Sequence, residues 1–405
     1  MDEIVSVEAV RDLVVRKKLT HKQISEELRR ANPGVRGLSE MSVRRFCSAH
    51  DIHRMSKVTD QELDCAVSVA VSQVGPTYGR KMMKGKLEAA IVKVNEKRLS
   101  RSLHRVAPDY CQQREQNTAK LLNPVPYSAD YFGHKLHMDQ NEKLVMYGCT
   151  TVLAVDGYSS MIMAAASMPV KNNVKIYRSV FRPIIEQYGV WDQVRVDCGK
   201  EFYLTLFVQQ SLSAHRRNTL RVPYKQTPST KNHMVERLWV EVNGRINYSI
   251  KTQLNRMAQE ELIDMVNVVH QFCVSTIVIQ VVQAGIQELL PAWNCHTIPG
   301  KGKPVELRNN TYRGVCVLHG TEIPLPEIAV QQYERSGGQI KSFGNFGTDP
   351  LLEFQHLQII RDKEFKSRNP SFATIFNEIV NSKPNSFFNA VISFINITTH
   401  LSPST

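Results

Sequence analysis

Three acidic side chains lie where carboxylates could act together on a metal ion. Asp139 is in the middle of the strand-like segment HKLHMDQNEKL, Asp197 ends the strand-like segment WDQVRVD, and Glu236 is near the start of a long helical pattern. A carboxylate inside a strand is unfavourable unless it is paired or binds a cation. Asp197 also has a simpler interpretation, because Asp is a favoured cap at the start of a helix. The stretch VRVDCGKEF alone leaves both open.

The expected chemistry depends on which strands are neighbours. If the strands of Asp139 and Asp197 are adjacent, two like charges come close and need a cation between them. Oxygen ligands without a nearby Cys or His cluster suit Mg²⁺ or Mn²⁺. Two such ions can activate a water or a 3′ hydroxyl and stabilise the leaving oxygen of a phosphodiester. The pattern therefore indicates a site for two Mg²⁺ or Mn²⁺ ions.

Composition favours an intracellular chain with an anionic partner. The 405 residues carry a formal charge of +13, and 42% of them are hydrophobic, which is enough for two to four folded domains. Nucleic acid is the commonest anionic partner of such chains, and an anionic membrane surface is the alternative. The eight cysteines include no CxxC pair, which argues against a disulfide framework and a four-cysteine zinc site.

Neither a signal peptide nor a membrane span is expected. The N-terminal segment MDEIVSVEAV is acidic and has no apolar core. Residues 265–287 contain no Asp, Glu, Lys or Arg, but their amides and imidazole would be costly in lipid. We therefore expect this segment to be a buried helix, and we expect no membrane partner.

Residues 1–56 are predicted to form a helix-turn-helix DNA-binding module of three short helices. The second helix begins with the capping-box pattern of Thr20 and Gln23. The third would expose Arg44 and Arg45 towards a DNA groove or phosphates. A small helical bundle with a solvated basic face is the alternative.

Residues 57–108 are predicted to form a second, strongly basic helical module of helix-turn-helix type. Its segment VNEKRLSRSLHR would be the recognition helix, with Leu99 and Leu103 inward. Lys97, Arg98 and Arg101 would point outward to phosphates, because counterion release rewards local charge density. A solvated charged helix is the alternative.

The remaining chain divides into four regions. Residues 109–130 are polar and proline-containing and are predicted to be a linker. In residues 131–260 the order of three strands, helix, strand, helix, strand, helix predicts an α/β fold with a mixed sheet flanked by helices. Residues 261–330 are predicted to be a helical extension and a loop. Residues 331–405 are predicted to contain two helices, and their role is open.

The segments HMDQNEKL, VLAVDGYSS, VRVDCGKEF and STKNHMVERLW resemble the integrase core of retroviral integrases, retrotransposons and DDE transposases. This resemblance covers roughly residues 130–260 and implies an RNase H-like fold. It also implies that Asp139, Asp197 and Glu236 are the catalytic residues and the ligands of two metal ions. The basic segment before the core resembles the helix-turn-helix of insertion-sequence transposases. Overall the chain is most similar to transposon-derived cellular integrase-core-domain proteins.

Two features of the chain differ from the family pattern. Retroviral integrases carry an N-terminal zinc module, but here Cys47, His50 and His53 have no accompanying CxxC, so no zinc is expected. Asp156 matches the family's D-x-x-S-R turn and is expected to be structural. Ser160 stands where the family often has Arg.

The resemblance implies a DDE-type integrase or transposase-like polynucleotidyl transferase that cuts and joins DNA in the nucleus. Its partners would be element ends and target DNA, and joining two ends implies a homo-oligomer. Lys231, Asn232 and Arg237 flank Glu236 and would contact the DNA backbone or line a solvated helix end. Two alternatives are open: a domesticated DNA-binding protein without catalytic activity, and a ribonuclease for RNA–DNA hybrids. We expect Trp239 and Val240 to pack on the sheet.

Overall fold

A five-stranded mixed sheet forms the centre of the computed structural model. Its strands are β1 Lys135–Leu144, β2 Cys149–Asp156, β3 Ile162–Met168, β4 Gln193–Val196 and β5 Tyr224–Gln226. Their spatial order is β3-β2-β1-β4-β5. The first three strands are antiparallel to one another, whereas β4 is parallel to β1 and β5 is parallel to β4. The structure describes residues 1, 4–17, 19–53, 55–75, 77–109, 128–227, 233–311 and 322–403.

Helices cover both faces of the sheet, which confirms the predicted α/β, RNase H-like fold. The sheet region contains α7 Asn173–Ile176, α8 Arg182–Tyr188, α9 Tyr203–Ser211, α10 His233–Val242 and α11 Tyr248–Gln259. A π-helical turn joins α7 to α8, and another joins α10 to α11. The predicted start of the third helix, at Lys231, lies outside the described residues.

Strand alternation divides β1 and β4 between two cores. Leu136 and Met138 of β1 and Val194 and Val196 of β4 are fully buried in one core, where they pack with residues of α8 and α9. Successive side chains of a strand point to opposite faces. The residues next to these four along the chain, His137, Asp139, Arg195 and Asp197, therefore point to the other face, where α10 packs on β1 and β2.

The N-terminal residues form two helical groups. The first contains α1 Val7–Arg11, α2 His21–Ala31 and α3 Glu40–Ala49, and these helices share a separate apolar core. The predicted capping box is confirmed, since Thr20 and Gln23 each accept the other's backbone N–H. The second group contains α4 Asp60–Val74, α5 Arg80–Ala89 and α6 Glu96–Val106. Leu99 and Leu103 are buried in it, as predicted.

The C-terminal region packs against the second helical group. It contains α15 Gln355–Arg368, α16 Phe372–Val380 and α17 Asn385–Leu401, and it follows α12 Val268–Cys295, α13 Pro304–Thr311 and α14 Pro326–Arg335. Residues of α4–α6, α10–α12 and α15–α17 form one continuous apolar core. Helices α4–α6 and α15–α17 are therefore built into one body with helices of the sheet region. Most of the predicted linker, residues 110–127, lies outside the described residues.

Helix α12 is the central helix of this shared core. In the described part of the chain it is the one helix long and apolar enough to span a membrane by length and composition, and 56% of its most apolar stretch is buried. It packs on β3, α5, α16 and α17. Gly285 makes one of these contacts possible, because a Cβ there would meet Phe376 Cε2 at 2.6 Å. The interpretation of this segment as a buried helix agrees with its packing.

Candidate active site

Parallel pairing of β1 with β4 brings two of the predicted carboxylates together. Lys135, Leu136 and His137 pair in turn with Gln193, Val194 and Arg195. The same offset carried two residues further puts Asp139 level with Asp197, which directly follows β4. Neighbouring strands are about 4.8 Å apart, and both side chains point to the same face. Asp139 is 7% exposed, whereas Asp197 is half-buried and accepts the backbone N–H of Gly199 at 3.0 Å.

Helix α10 brings the third carboxylate to this face. The indole N–H of Trp239 donates to Asp139 Oδ2 at 2.9 Å, which ties the helix to β1 at that point. Glu236 is three residues earlier, and residues three apart are neighbours on one side of a helix. Glu236 is half-buried. The three predicted catalytic residues, distant in sequence, are therefore brought to one end of the sheet.

The pKa of Asp139 reports the proximity of the other two carboxylates. Burial raises it from its ordinary value to about 6, because the buried carboxylate loses its hydration. Hydrogen bonds from Trp239 and from the backbone N–H of Gln140 lower it, and repulsion by Asp197 and Glu236 raises it further. The negative charges of Asp197 and Glu236 thus disfavour ionisation of Asp139. A cation bound among the three carboxylates would reduce the repulsion between them.

The donor set fits a hard divalent cation. All three side chains offer carboxylate oxygens, which are the ligands that Mg²⁺ and Mn²⁺ prefer. Among the described residues, no group of three His, Cys, Asp or Glu side chains is compact enough to hold an ion in its present arrangement. Binding of one ion by all three side chains would therefore require the carboxylates to move closer together.

Asp156 at the end of β2 has a structural role, as the sequence predicted. Its Oδ1 accepts the backbone N–H of Gly133 at 3.1 Å and the indole N–H of Trp191 at 3.0 Å. Its Oδ2 accepts the backbone N–H and the hydroxyl of Ser159 at 2.7 and 2.8 Å. Burial raises the pKa of this carboxyl, and the four hydrogen bonds oppose that shift. Asp156 thereby fixes the turn between β2 and β3 and the approach to β1.

A lysine from a distant segment reaches the turn where the family often has arginine. Ser160 adopts a left-handed backbone conformation with φ of 61°. Its hydroxyl accepts a hydrogen bond from Lys301 Nζ at 2.6 Å, and its carbonyl accepts one from Trp293 Nε1 at 2.8 Å. Burial lowers the pKa of Lys301, Asp156 raises it, and Arg237 lowers it. The segment AWNCHTIPGKGKP thus supplies a basic group beside this turn.

The predicted DNA-contacting residues differ in their surroundings. Arg44, Arg45, Lys97, Arg101 and Arg237 are exposed. Arg98 is half-buried, and the expectation that it points freely outward needs correction. Its Nε and Nη2 donate to Asp60 Oδ1 at 2.9 and 2.7 Å, and Nη2 also donates to the Val58 carbonyl at 2.7 Å. Lys231 and Asn232 lie outside the described residues.

Sequence reasoning missed two features near the carboxylates. The sequence predicts only that Trp239 packs on the sheet, but its indole N–H also donates to Asp139. The polar N–H could have indicated this contact, because a buried indole usually finds a hydrogen-bond acceptor. Val240 was expected in the core but is 70% exposed. The buried stripe of α10 runs through Val235, Leu238 and Val242, and Val240 lies outside it.

Comparison with known families agrees with this geometry. Residues 127–309 match the family described as "Integrase core domain". A search of curated proteins finds no match to the chain. The matched region contains the whole sheet, Asp139, Asp197, Glu236, and the segment of Trp293 and Lys301 that contacts the turn after β2. Residues 127–309 of this chain therefore belong to the integrase core domain family, whose members are DDE-type polynucleotidyl transferases.

Proposed function

We propose that the protein cuts a DNA strand and joins the resulting 3′ end to a second DNA. Asp139, Asp197 and Glu236 would hold two Mg²⁺ or Mn²⁺ ions at the end of the sheet. The observation that carries this proposal is geometric: the parallel register of β1 and β4 puts Asp139 level with Asp197, and Trp239, one helical turn after Glu236, donates to Asp139 Oδ2. Three carboxylates grouped in this way are stable together when cations neutralise them.

Each protein group has a separate part in the proposed chemistry. Bound divalent ions would supply Lewis acidity for the attacking water or 3′ hydroxyl and for the leaving oxygen. Asp139 is held in position by Trp239, so one of its oxygens is oriented before any ion binds. Asp197 and Glu236 are half-buried and so are accessible to a bound ion or substrate. Because the ions would activate both nucleophiles, no covalent protein intermediate is required.

The same proposal includes the partners and the location. DNA binding follows from the integrase family, and element ends and a target duplex are the substrates that we propose. The basic helical groups carrying Arg44, Arg45, Lys97 and Arg101 would position the DNA. Joining two ends requires two copies of the site, so we propose a homo-oligomer. We also propose a nuclear location, where chromosomal DNA is accessible.

The double substitution Asp139→Asn with Glu236→Gln tests the function. With Mg²⁺ and labelled duplex DNA, wild-type protein should cut and join strands, whereas the double variant should bind DNA with unchanged affinity and do neither. If wild-type protein binds DNA without cutting or joining, the alternative of a DNA-binding protein without catalysis is correct. Cleavage of an RNA–DNA hybrid in preference to duplex DNA would indicate a ribonuclease.

A further inference from the structure

A row of basic side chains crosses the sheet two residues before Asp139 and Asp197 along their strands, on the same face. His137 of β1 pairs with Arg195 of β4, and Arg195 pairs with Lys225 of β5. Residues two apart in a strand share a face. Arg195 therefore points to the same side as Asp197, at a spacing of about 6.6 Å along the strand. Lys225 extends the row to the edge strand.

Two more cationic residues, Lys135 and Arg221, lie near this row at the start of the strands. The charges of Arg195, Arg221 and Lys225 all lower the pKa of Lys135, after the larger effect of its burial. Asp130 opposes them. Arg195, Arg221 and Lys225 therefore lie within electrostatic reach of Lys135, and this concentration of positive charge favours an anionic partner.

The row is accessible on the side of β4 and β5, whereas Lys135 is buried and its Nζ donates to the Ser128 carbonyl at 2.5 Å. The helices on this side of the sheet pack on β1, β2 and β3, and they leave Lys225 exposed and Arg195 half-buried. Gln193 Oε1 accepts Arg195 Nε at 2.8 Å, and Gln193 Nε2 donates to the Val222 carbonyl at 3.2 Å. Arg195 is thus anchored through its Nε, and an anchored guanidinium loses less entropy when it contacts a phosphate.

We propose that Arg195, Arg221 and Lys225 form a phosphate-binding surface, the β4–β5 basic surface, that holds the backbone of the DNA strand entering the carboxylate site, with the buried Lys135 adding its positive charge behind them. This inference rests on the proposed function, because it gives the substrate its path to Asp139 and Asp197. The contacts would be to phosphates, so they would position DNA without reading its sequence.

Salt dependence of DNA binding tests the surface. Full-length wild type and the double variant Arg195→Gln with Lys225→Gln are titrated against a fluorescein-labelled 20-base-pair duplex, without divalent ions, at several KCl concentrations. Each lost phosphate contact reduces the slope of log affinity against log salt by about 0.9. The double variant should therefore lose about 1.8 from the slope. Lys363→Gln, which changes an exposed lysine on α15, should keep the wild-type slope.

Two further measurements separate the possible failures. The double substitution Arg195→Lys with Lys225→Arg preserves charge and should restore the slope, and Lys225→Gln alone tests the surface if the Arg195 variant does not fold. Strand cutting in Mg²⁺ is assayed on the same wild-type preparation. If wild type cuts DNA and the slopes of all variants equal its own, the surface assignment is wrong and the function stands. A reduced slope in the double variant, with no cutting by wild type, supports the surface and contradicts the transferase.

Discussion

Trp239 on α10 donates its indole N–H to the carboxylate of Asp139 on β1, at 2.9 Å. The contact joins two elements that are separated by most of the integrase core in sequence. It also sets the position of Glu236, which lies one helical turn before Trp239. A single hydrogen bond thus links the orientation of the first carboxylate to the placement of the third.

Replacing Trp239 by Phe should shift the pH dependence of catalysis upward. The substitution keeps an aromatic ring but removes the N–H, and this hydrogen bond lowers the pKa of Asp139. A hydrogen bond to a charged group contributes about 1.5–3 kcal/mol, which corresponds to about 1–2 pKa units. The acidic limb of the rate profile for Mg²⁺-dependent cutting should move up by that amount. Trp293→Phe, which removes a donor to Ser160 instead, should leave the limb in place.

Asp139→Asn should stabilise the metal-free protein at neutral pH but not at acidic pH. The pKa of Asp139 is raised to about 6 in the folded state, so the folded protein binds its proton more tightly than the unfolded chain. Stability from this group is fully present below about pH 4 and is lost as pH rises through about 6. The lost free energy of unfolding is at most about 3 kcal/mol, because the pKa of Asp139 differs by about two units between the folded and unfolded states. Urea unfolding in EDTA between pH 4 and pH 8 measures it.

The same urea unfolding experiment, repeated with saturating Mg²⁺ in place of EDTA, measures how the ion changes the stability of each protein. Saturating Mg²⁺ should raise the unfolding midpoint of wild-type protein at pH 8, because a ligand of the folded state stabilises it by mass action. The Asn variant should respond less, since it lacks one of the negative charges. A difference between wild type and variant that stays constant from pH 4 to pH 8 would contradict the burial of an ionised Asp139.

Asp156→Ala should destabilise the fold much more than loss of an exposed carboxylate. The substitution leaves the N–H groups of Gly133, Ser159 and Trp191 without their buried acceptor. Removing one partner from a buried charged network costs about 3–5 kcal/mol. Glu353→Ala, on an exposed residue, should change the free energy of unfolding by less than about 0.5 kcal/mol. Equal urea midpoints for the two variants would contradict the structural role of Asp156.

Two glycines test the packing of the C-terminal helices on α12. In Gly285→Ala the new methyl group would approach Phe376 Cε2 at 2.6 Å, and such overpacking costs about 1–3 kcal/mol. In Gly244→Ala the methyl group meets nothing within 4 Å. That substitution should stabilise the helix by up to about 1 kcal/mol through its higher helix propensity. Chemical denaturation of both variants measures the contrast, and a stabilised Gly285→Ala protein would contradict the packing of α16 on α12.

Local signals predicted much of the fold and the position of the carboxylates. Asp139 is conspicuous in the sequence because a charged residue inside a strand is unfavourable unless it is paired or binds a cation. The parallel register of β1 and β4 puts Asp197 beside it. The Thr20 and Gln23 capping box and the inward Leu99 and Leu103 followed from spacing alone. Each of these depends on residues that are close in sequence, or on the two-residue period of strands.

Contacts between distant segments could not be predicted in the same way. Lys301 approaches Ser160 across more than a hundred residues, and α16 packs on α4 across three hundred. No periodicity encodes which surfaces of two such segments meet. Arg98 shows the same limit within one module, because its pairing with Asp60 depends on how α4 and α6 are arranged.

The most direct test of the central claim is anomalous diffraction from crystals of the full-length protein soaked in Mn²⁺. We expect manganese density between the carboxylates of Asp139 and Asp197, with Glu236 also within coordination distance of the ions, about 2.0–2.6 Å. Crystals of the Asp139→Asn variant should show weaker density or none. Saturating Mn²⁺ with no density among these three residues, or a separation of more than about 10 Å between any two of them, would contradict a shared two-ion site.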